Sequence, residues 1–156
     1  MDELFFKKAE KKDAAILAEY RFRMFDEIYQ DDSLAERKAE FIDECTRYYL
    51  DDKNKKDHYS IIAFIGKVAV GCGTVMIEER PPKPGYKTNI SAHILNIYVD
   101  TGYRGKGIGK KIIEKLHEYA KSAGVRKIGL HASQFGRGLY KKIGYKIKEP
   151  YLEMEI

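Results

Sequence analysis

Nowhere in the 156 residues does an apolar run approach the roughly 20 that a helix needs to cross a bilayer, which excludes a helical membrane protein. The first residues, Met1-Asp2-Glu3-Leu4-Phe5-Phe6, offer neither a basic start nor a long apolar stretch, so no export signal is expected. Cysteine is scarce. Cys45 and Cys72 form no metal-type spacing and allow at most one bridge, weak grounds for an oxidising compartment. The four histidines also lack ligand spacing, and no metal is expected. The cytoplasm is the expected location. Internal repeats and linkers are missing too, so residues 1–156 read as a single domain, of a size that can bury a real core. Nor does one sign of charge dominate: the net charge of +5 comes from 29 basic residues dispersed among 24 acidic ones. Most of that charge is solvated surface, and without a nucleic-acid motif no nucleic-acid partner is expected.

What is present is a clear succession of elements. Leu4 to Ala9 reads as a first strand. Asp13 is an N-cap candidate, because its carboxylate can accept from the free amides of a first turn. Behind it Ile16, Leu17, Tyr20, Met24 and Ile28 recur at helical spacing. Asp31-Asp32-Ser33 ends that helix. Ser33 and Glu36 fit a capping box for a second helix carrying Leu34, Phe41, Ile42, Cys45 and Tyr48. Asp51 to Asp57 reads as a loop. His58 to Ile65 and Val68 to Ile77 are strands joined by a tight Gly66-Lys67 turn. The proline-rich Arg80 to Gly85 segment is a loop, since proline lacks an amide donor. Ile90 to Val99 is the fourth strand.

From there the order is helix, strand, helix. Ile108, Ile112, Ile113, Leu116, Tyr119 and Ala120 share one helix face, which Gly124 should close. Val125 to Leu130 is the fifth strand and Phe135 to Ile143 a short helix ended by Gly144. The tail from Tyr145 to Ile156 alternates enough for one or two final strands, with Pro150 between. The pattern is α/β, antiparallel early and with a βαβ crossover late.

The most informative stretch is Tyr98-Val99-Asp100-Thr101-Gly102-Tyr103-Arg104-Gly105-Lys106-Gly107-Ile108-Gly109-Lys110, between a strand and a helix. The first amides of a helix have no internal partners, and its dipole adds positive charge there. A pyrophosphate can take several of those amides at once. Glycines 105, 107 and 109 allow close approach, and Arg104 and Lys106 add charge. A Walker A loop fails, because Gly107 is followed by Ile108. A dinucleotide fingerprint fails, because Lys110 holds the place of its last glycine. What remains is Arg-x-x-Gly-x-Gly over Arg104, Gly107 and Gly109.

That stretch resembles the acetyl-CoA-binding motif of the GNAT superfamily. Leu139-Tyr140-Lys141-Lys142-Ile143-Gly144-Tyr145 is similar to the family's later motif, Leu-Tyr-x-x-x-Gly-Phe/Tyr. The resemblance covers nearly the whole chain. It implies a three-layer α/β fold, with a mixed, mostly antiparallel twisted central sheet flanked by about four helices. It implies an N-acetyltransferase that moves acetyl from acetyl-CoA directly to a primary amine of a small molecule, polyamine or peptide. A domain of the same fold that binds acyl-CoA without catalysis, as a sensor, is the alternative. Many members are homodimers, an arrangement open to this chain.

The resemblance also implies roles. Backbone groups of Ile97, Tyr98 and Val99 would pair with the pantetheine arm, and the amides from Arg104 through Gly105, Lys106, Gly107, Ile108 and Gly109 to Lys110 would hold the pyrophosphate. Ser133 falls where many members carry a cofactor-binding Asn. Lys142, with Arg137, would reach the 3′-phosphate or adenine end. Tyr140 matches the usual general acid, a phenol able to protonate the leaving thiolate. No acid lies within the fourth strand, so the general base is left among His93, Glu78, Glu79 and a water chain. Asn96 would orient the acceptor or bind water, while His131 reads as structural and His58 and His117 as exposed. Asp26, Glu27, Asp31 and Asp32 would favour a cationic acceptor if they faced the cleft, but read more simply as a polar helix end.

Overall fold

The computed structural model describes residues 2–55, 57–148 and 152–156. Five strands form one sheet in the order β1-β2-β3-β4-β5. They are β1 (Leu4–Lys8), β2 (His58–Ile65), β3 (Val68–Arg80), β4 (Asn89–Val99) and β5 (Lys127–Leu130). The first four are mutually antiparallel, and β5 runs parallel to β4 as the crossover required. Gly66, at φ +58°, makes the two-residue turn between β2 and β3.

Helices cover both faces. On one face lie α1 (Ala14–Tyr29) and α3 (Lys38–Leu50), and on the other α5 (Ile108–Ser122). The core under α5 is built by Ile112, Ile113 and Leu116, wholly buried against Val75, Ala92 and Ile94 of the sheet. Each such side chain contributes about 1.5–3 kcal/mol on leaving water. Their approach depends on Gly73 of β3: a Cβ there would stand 2.6 Å from Ile112 Cγ2 and 2.5 Å from Ile97 Cδ1. Gly124, at φ +81°, closes α5 as its spacing predicts. The core on the other face joins Leu17 and Tyr20 of α1 to Ile62 and Cys72. Both cysteines are free thiols. Among the described residues no helix is long and apolar enough to cross a membrane.

Local chemistry differs from the sequence expectation at four places. Asp13 occupies the N-cap position of α1 but does not cap it. Its carboxylate accepts from the Glu10 amide at 2.8 Å and from Lys7 Nζ at 2.9 Å, because the chain enters α1 through a 3-10 turn that brings both donors closer. The second helix is two: α2 (Asp32–Glu36) and α3, interrupted at Arg37. Its cap is Asp31, not Ser33. Asp31 is extended (φ −113°, ψ 122°), as a cap must be, and accepts from the Ser33 amide at 2.8 Å. The expected loop at 51–57 contains a single helical turn, α4 (Asp52–Lys55), entered at Asp51, whose carboxylate accepts from the Lys53 amide.

The fourth difference is the tail. After α6 (Arg137–Ile143), residues 145–148 and 152–156 form no strand, and Pro150 lies outside the described residues. Ile147, Leu152, Met154 and Ile156 are largely exposed, so their alternation meets no buried face. Alternation creates a strand only where an edge and an apolar surface receive it.

The feature that positions the site is a bulge in β4. Register with β3 shifts between Cys72 and Thr74, opposite Asn96, which adopts φ +59°. Asparagine tolerates this left-handed conformation better than most residues. Pairing of β4 with β5 stops just before it, at Ile94 and Leu130. From Leu95 to Val99 the two strands part, leaving a wedge between them.

Candidate active site

The wedge opens into a cleft of about 620 Å³ running from α5 to α6, and the residues predicted to bind the cofactor line it except Lys106 and Arg137. Met24, Glu27 and Ile28, from the last turns of α1, line it too, and of the four acids weighed for the cleft only Glu27 does so. Ile28, expected in the core stripe, is instead exposed on this cleft.

At the floor of one end, Gly105 and Gly107 adopt φ +76° and +78°. These dihedrals turn successive amides toward one concavity, and a Cβ added at either glycine would meet no protein atom within 4 Å. The first α5 amide with a backbone acceptor is that of Lys111, bonded to Gly107 O at 3.1 Å. Among the described residues the amides of 105–110 have no protein acceptor. Unpaired donors at a helix N-terminus, with free space before them, fit a pyrophosphate.

The side chains of the loop behave differently from the amides. Arg104 does not face the anion space. Its guanidinium grips Glu27 through two bonds of 2.6 and 2.7 Å, and its Nε donates to Val99 O at 2.7 Å. The Arg104 hydrogen bonds hold the Glu27 carboxyl below the usual glutamate range. Arg104 therefore ties the loop to α1 and occupies one lone pair of a carbonyl expected to meet the pantetheine. Asp100 adds a second tie, accepting from Tyr20 Oη at 3.0 Å and Arg23 Nη1 at 2.8 Å. Lys106 lies over the Tyr103 ring and Lys110 pairs loosely with Glu114.

Tyr140 lies across the cleft on α6. Its ring fills the space beside Gly136, where a Cβ would stand 2.8 Å from Cε2, and packs edge-on to Tyr145. Burial pushes its phenol above the ordinary tyrosine range, which keeps it protonated and able to donate. Ser133 lines the cleft, but its Oγ already accepts from the Gly136 amide at 3.3 Å, and Lys142 lines the cleft as well. Asn96 does not face an acceptor: its buried amide donates to Leu17 O at 3.5 Å and Tyr49 Oη at 3.2 Å, locking α1 and α3 to the bulge. His58 and His117, read as exposed, are both half-buried and bonded, to Tyr48 and Tyr145 respectively. Of the four acids near the helix end, Glu27 turns to Arg104, Asp31 caps α2, and Asp26 and Asp32 are exposed.

Known proteins share this arrangement. The model of the acetyltransferase (GNAT) family matches residues 22–145. A glucosamine 6-phosphate N-acetyltransferase of Trypanosoma brucei brucei is 31% identical over 87 residues, 56% of this chain and 57% of that protein. The Arabidopsis thaliana enzyme of the same name is 37% identical over 83 residues, 53% of each chain. The chain thus spans about half the length of these relatives. The crystal structure of a predicted acetyltransferase with acetyl-CoA from Clostridium acetobutylicum superimposes with a TM-score of 0.84 at 26% identity, covering 98% of this chain and 96% of that one. The chain belongs to the GNAT acetyltransferase family.

Proposed function

We propose that residues 1–156 act as one acetyl-CoA-dependent N-acetyltransferase unit whose acceptor is a primary amine. The observation that carries this reading is the shared cleft: unpaired amides at the start of α5 and the neutral phenol of Tyr140 open onto one space. Acetyl-CoA, when bound, supplies the acetyl group as a thioester. The amides of 105–110 bind its pyrophosphate, while the open edge of β4 at Ile97 to Val99 orients the arm that follows. The apolar walls Ile97, Ile108 and Leu139 exclude water from the arm. Tyr140 holds a proton for the departing sulfur. The names of the relatives support a small-molecule amine, and an amino sugar phosphate is the first acceptor to test.

Thermal denaturation with acetyl-CoA, CoA or ATP at equal concentration tests the cradle. A ligand that binds only the folded chain adds about 2.7 kcal/mol at a hundredfold excess over its dissociation constant. Stabilisation by both CoA forms and not by ATP is expected, and no stabilisation by any of the three would refute the assignment. Tyr140→Phe then separates an enzyme from an acyl-CoA sensor: turnover should fall while affinity holds, and unchanged turnover would remove Tyr140 from the chemistry.

A further inference from the structure

Tyr140 stands on α6, and little within that helix fixes its place. None of its seven residues is fully buried, and Leu139, Tyr140 and Ile143 rest only partly covered against the core under α5. A firmer hold lies just past the helix end. Gly144, at φ +116°, turns the chain back in the left-handed region, and the Tyr145 amide donates to Tyr140 O at 3.0 Å. The reversal lays the Tyr145 ring edge-on to Tyr140, with centroids 5.7 Å apart at 71°. The Tyr145 hydroxyl then meets Nε2 of His117 on α5 at 2.6 Å. His117 lies about 14 Å along α5 from Ile108, where the helix begins.

We propose that the hydrogen bond between His117 and Tyr145 positions Tyr140: it fixes α6 against α5, and so sets the phenol relative to the amides that start α5. This rests on the transferase reading above, in which those amides hold the pyrophosphate and Tyr140 gives its proton to the departing sulfur. The sulfur then hangs on an arm gripped at α5 while its proton donor stands on α6. The distance between them depends on how rigidly the two helices are joined, and an error of about 1 Å in such a distance costs about 10²-fold in rate. The later motif admits Phe as well as Tyr at position 145, so the ring alone satisfies it. The hydroxyl that reaches His117 is a contact the motif does not ask for.

The chemistry suits a standing contact. Burial lowers the pKa of His117 against an opposing pull from Glu114, while burial and the neighbouring Tyr140 push the Tyr145 phenol up to about 12. Both groups are therefore largely uncharged at neutral pH, and a phenol and an imidazole can bond with either as donor. The bond is half-buried, where water competes less for its partners, and the two rings lie 5.6 Å apart at 39°.

The test compares His117→Leu, which removes the bond, with His117→Gln, whose amide can still meet the phenol. Each is made in the wild-type chain and in Tyr140→Phe, with glucosamine 6-phosphate, spermidine and a lysine peptide as acceptors. His117→Leu should lower kcat by about 10- to 100-fold and leave acetyl-CoA affinity unchanged, because the cradle lies elsewhere. Tyr145→Phe, which loses only the hydroxyl, should do the same, and His117→Gln should retain most of the turnover. In Tyr140→Phe, His117→Leu should cost nothing further, since the residue it positions is already disabled. A loss of equal size in both backgrounds would make His117 a stabilising contact only and overturn the inference, as would wild-type turnover by His117→Leu. Hydrogen exchange reads the tie without any acceptor: His117→Leu should speed exchange of the α6 amides but not of the first turns of α5, and unchanged protection of α6 would also overturn it. Wild-type turnover by Tyr140→Phe, or a wild type that binds acetyl-CoA and acetylates none of the acceptors, would count against the transferase reading instead, with hydrogen exchange still testing the tie.

Discussion

Replacing Gly107 isolates the cradle, because its cost to folding and its cost to binding arise from different atoms. The residue sits at φ +78° with no protein atom within 4 Å of an added Cβ. Alanine would meet no clash, but a left-handed conformation costs a residue with a Cβ about 1–2 kcal/mol. In a domain of this size that lowers the melting temperature by about 2–8 °C, at 2–4 °C per kcal/mol. The methyl group would also enter the space before the unpaired amides. A hydrogen bond to a charged group is worth about 1.5–3 kcal/mol, so displacing the phosphate from one amide weakens CoA by about ten- to a hundredfold. Valine, bulkier and β-branched, should abolish CoA binding while the chain still folds. Gly102→Ala is the control, since that residue has neither a positive φ nor a close neighbour, and it should change neither quantity. Calorimetry of CoA binding, with melting curves of each variant, reads both. Gly107→Val binding CoA as tightly as the wild type would refute the cradle.

Further outcomes follow from the charges and the phenol. Tyr140→Phe should lower kcat by about 10²-fold or more with CoA affinity unchanged, measured by steady-state kinetics and calorimetry. Because burial raises the Tyr140 pKa, the alkaline fall in kcat should lie above the ordinary tyrosine value of about 10, and a fall near neutrality that Tyr140→Phe removes would contradict this. Glu27→Gln should cost less than about 1 kcal/mol of stability, since the pair is partly solvated. The folded pKa of Glu27 is depressed, so this advantage is present above the unfolded glutamate value and is lost as pH falls through the folded one. Melting curves of both proteins from neutral to acid pH should therefore converge, and a constant gap would refute the pair's contribution.

The residues that spelled themselves out are those whose constraint is local. The stripe Ile108, Ile112, Ile113 and Leu116 must lie on one helix face whatever packs on it, and all four are buried. Gly105, Gly107 and Gly124 mark positive φ where only glycine is free of strain. A strand, a glycine turn and a helix in direct succession place unpaired amides at one point, so the cradle and the Tyr140 helix were legible before any coordinates. Where local rules failed, competing partners stood nearby in space: Asp13 found Lys7 and the Glu10 amide, and Asp31 took the cap position by accepting from the Ser33 amide.

By itself, then, the sequence determined the α/β order, the glycine turn before α5 and the family to which its motifs belong. It could not show that Arg104 turns to Glu27, because Glu27 lies 77 positions earlier and meets it only when α1 packs beside β4. Nor could it show that β4 stops pairing with β5 at Ile94, just before the bulge at Asn96, or that the His93 ring comes to lie beside that of His131. Those relations depend on strand register and helix packing. A pattern of residue types carries its own backbone preferences, but the partner of a side chain is decided by which distant segment the fold lays against it.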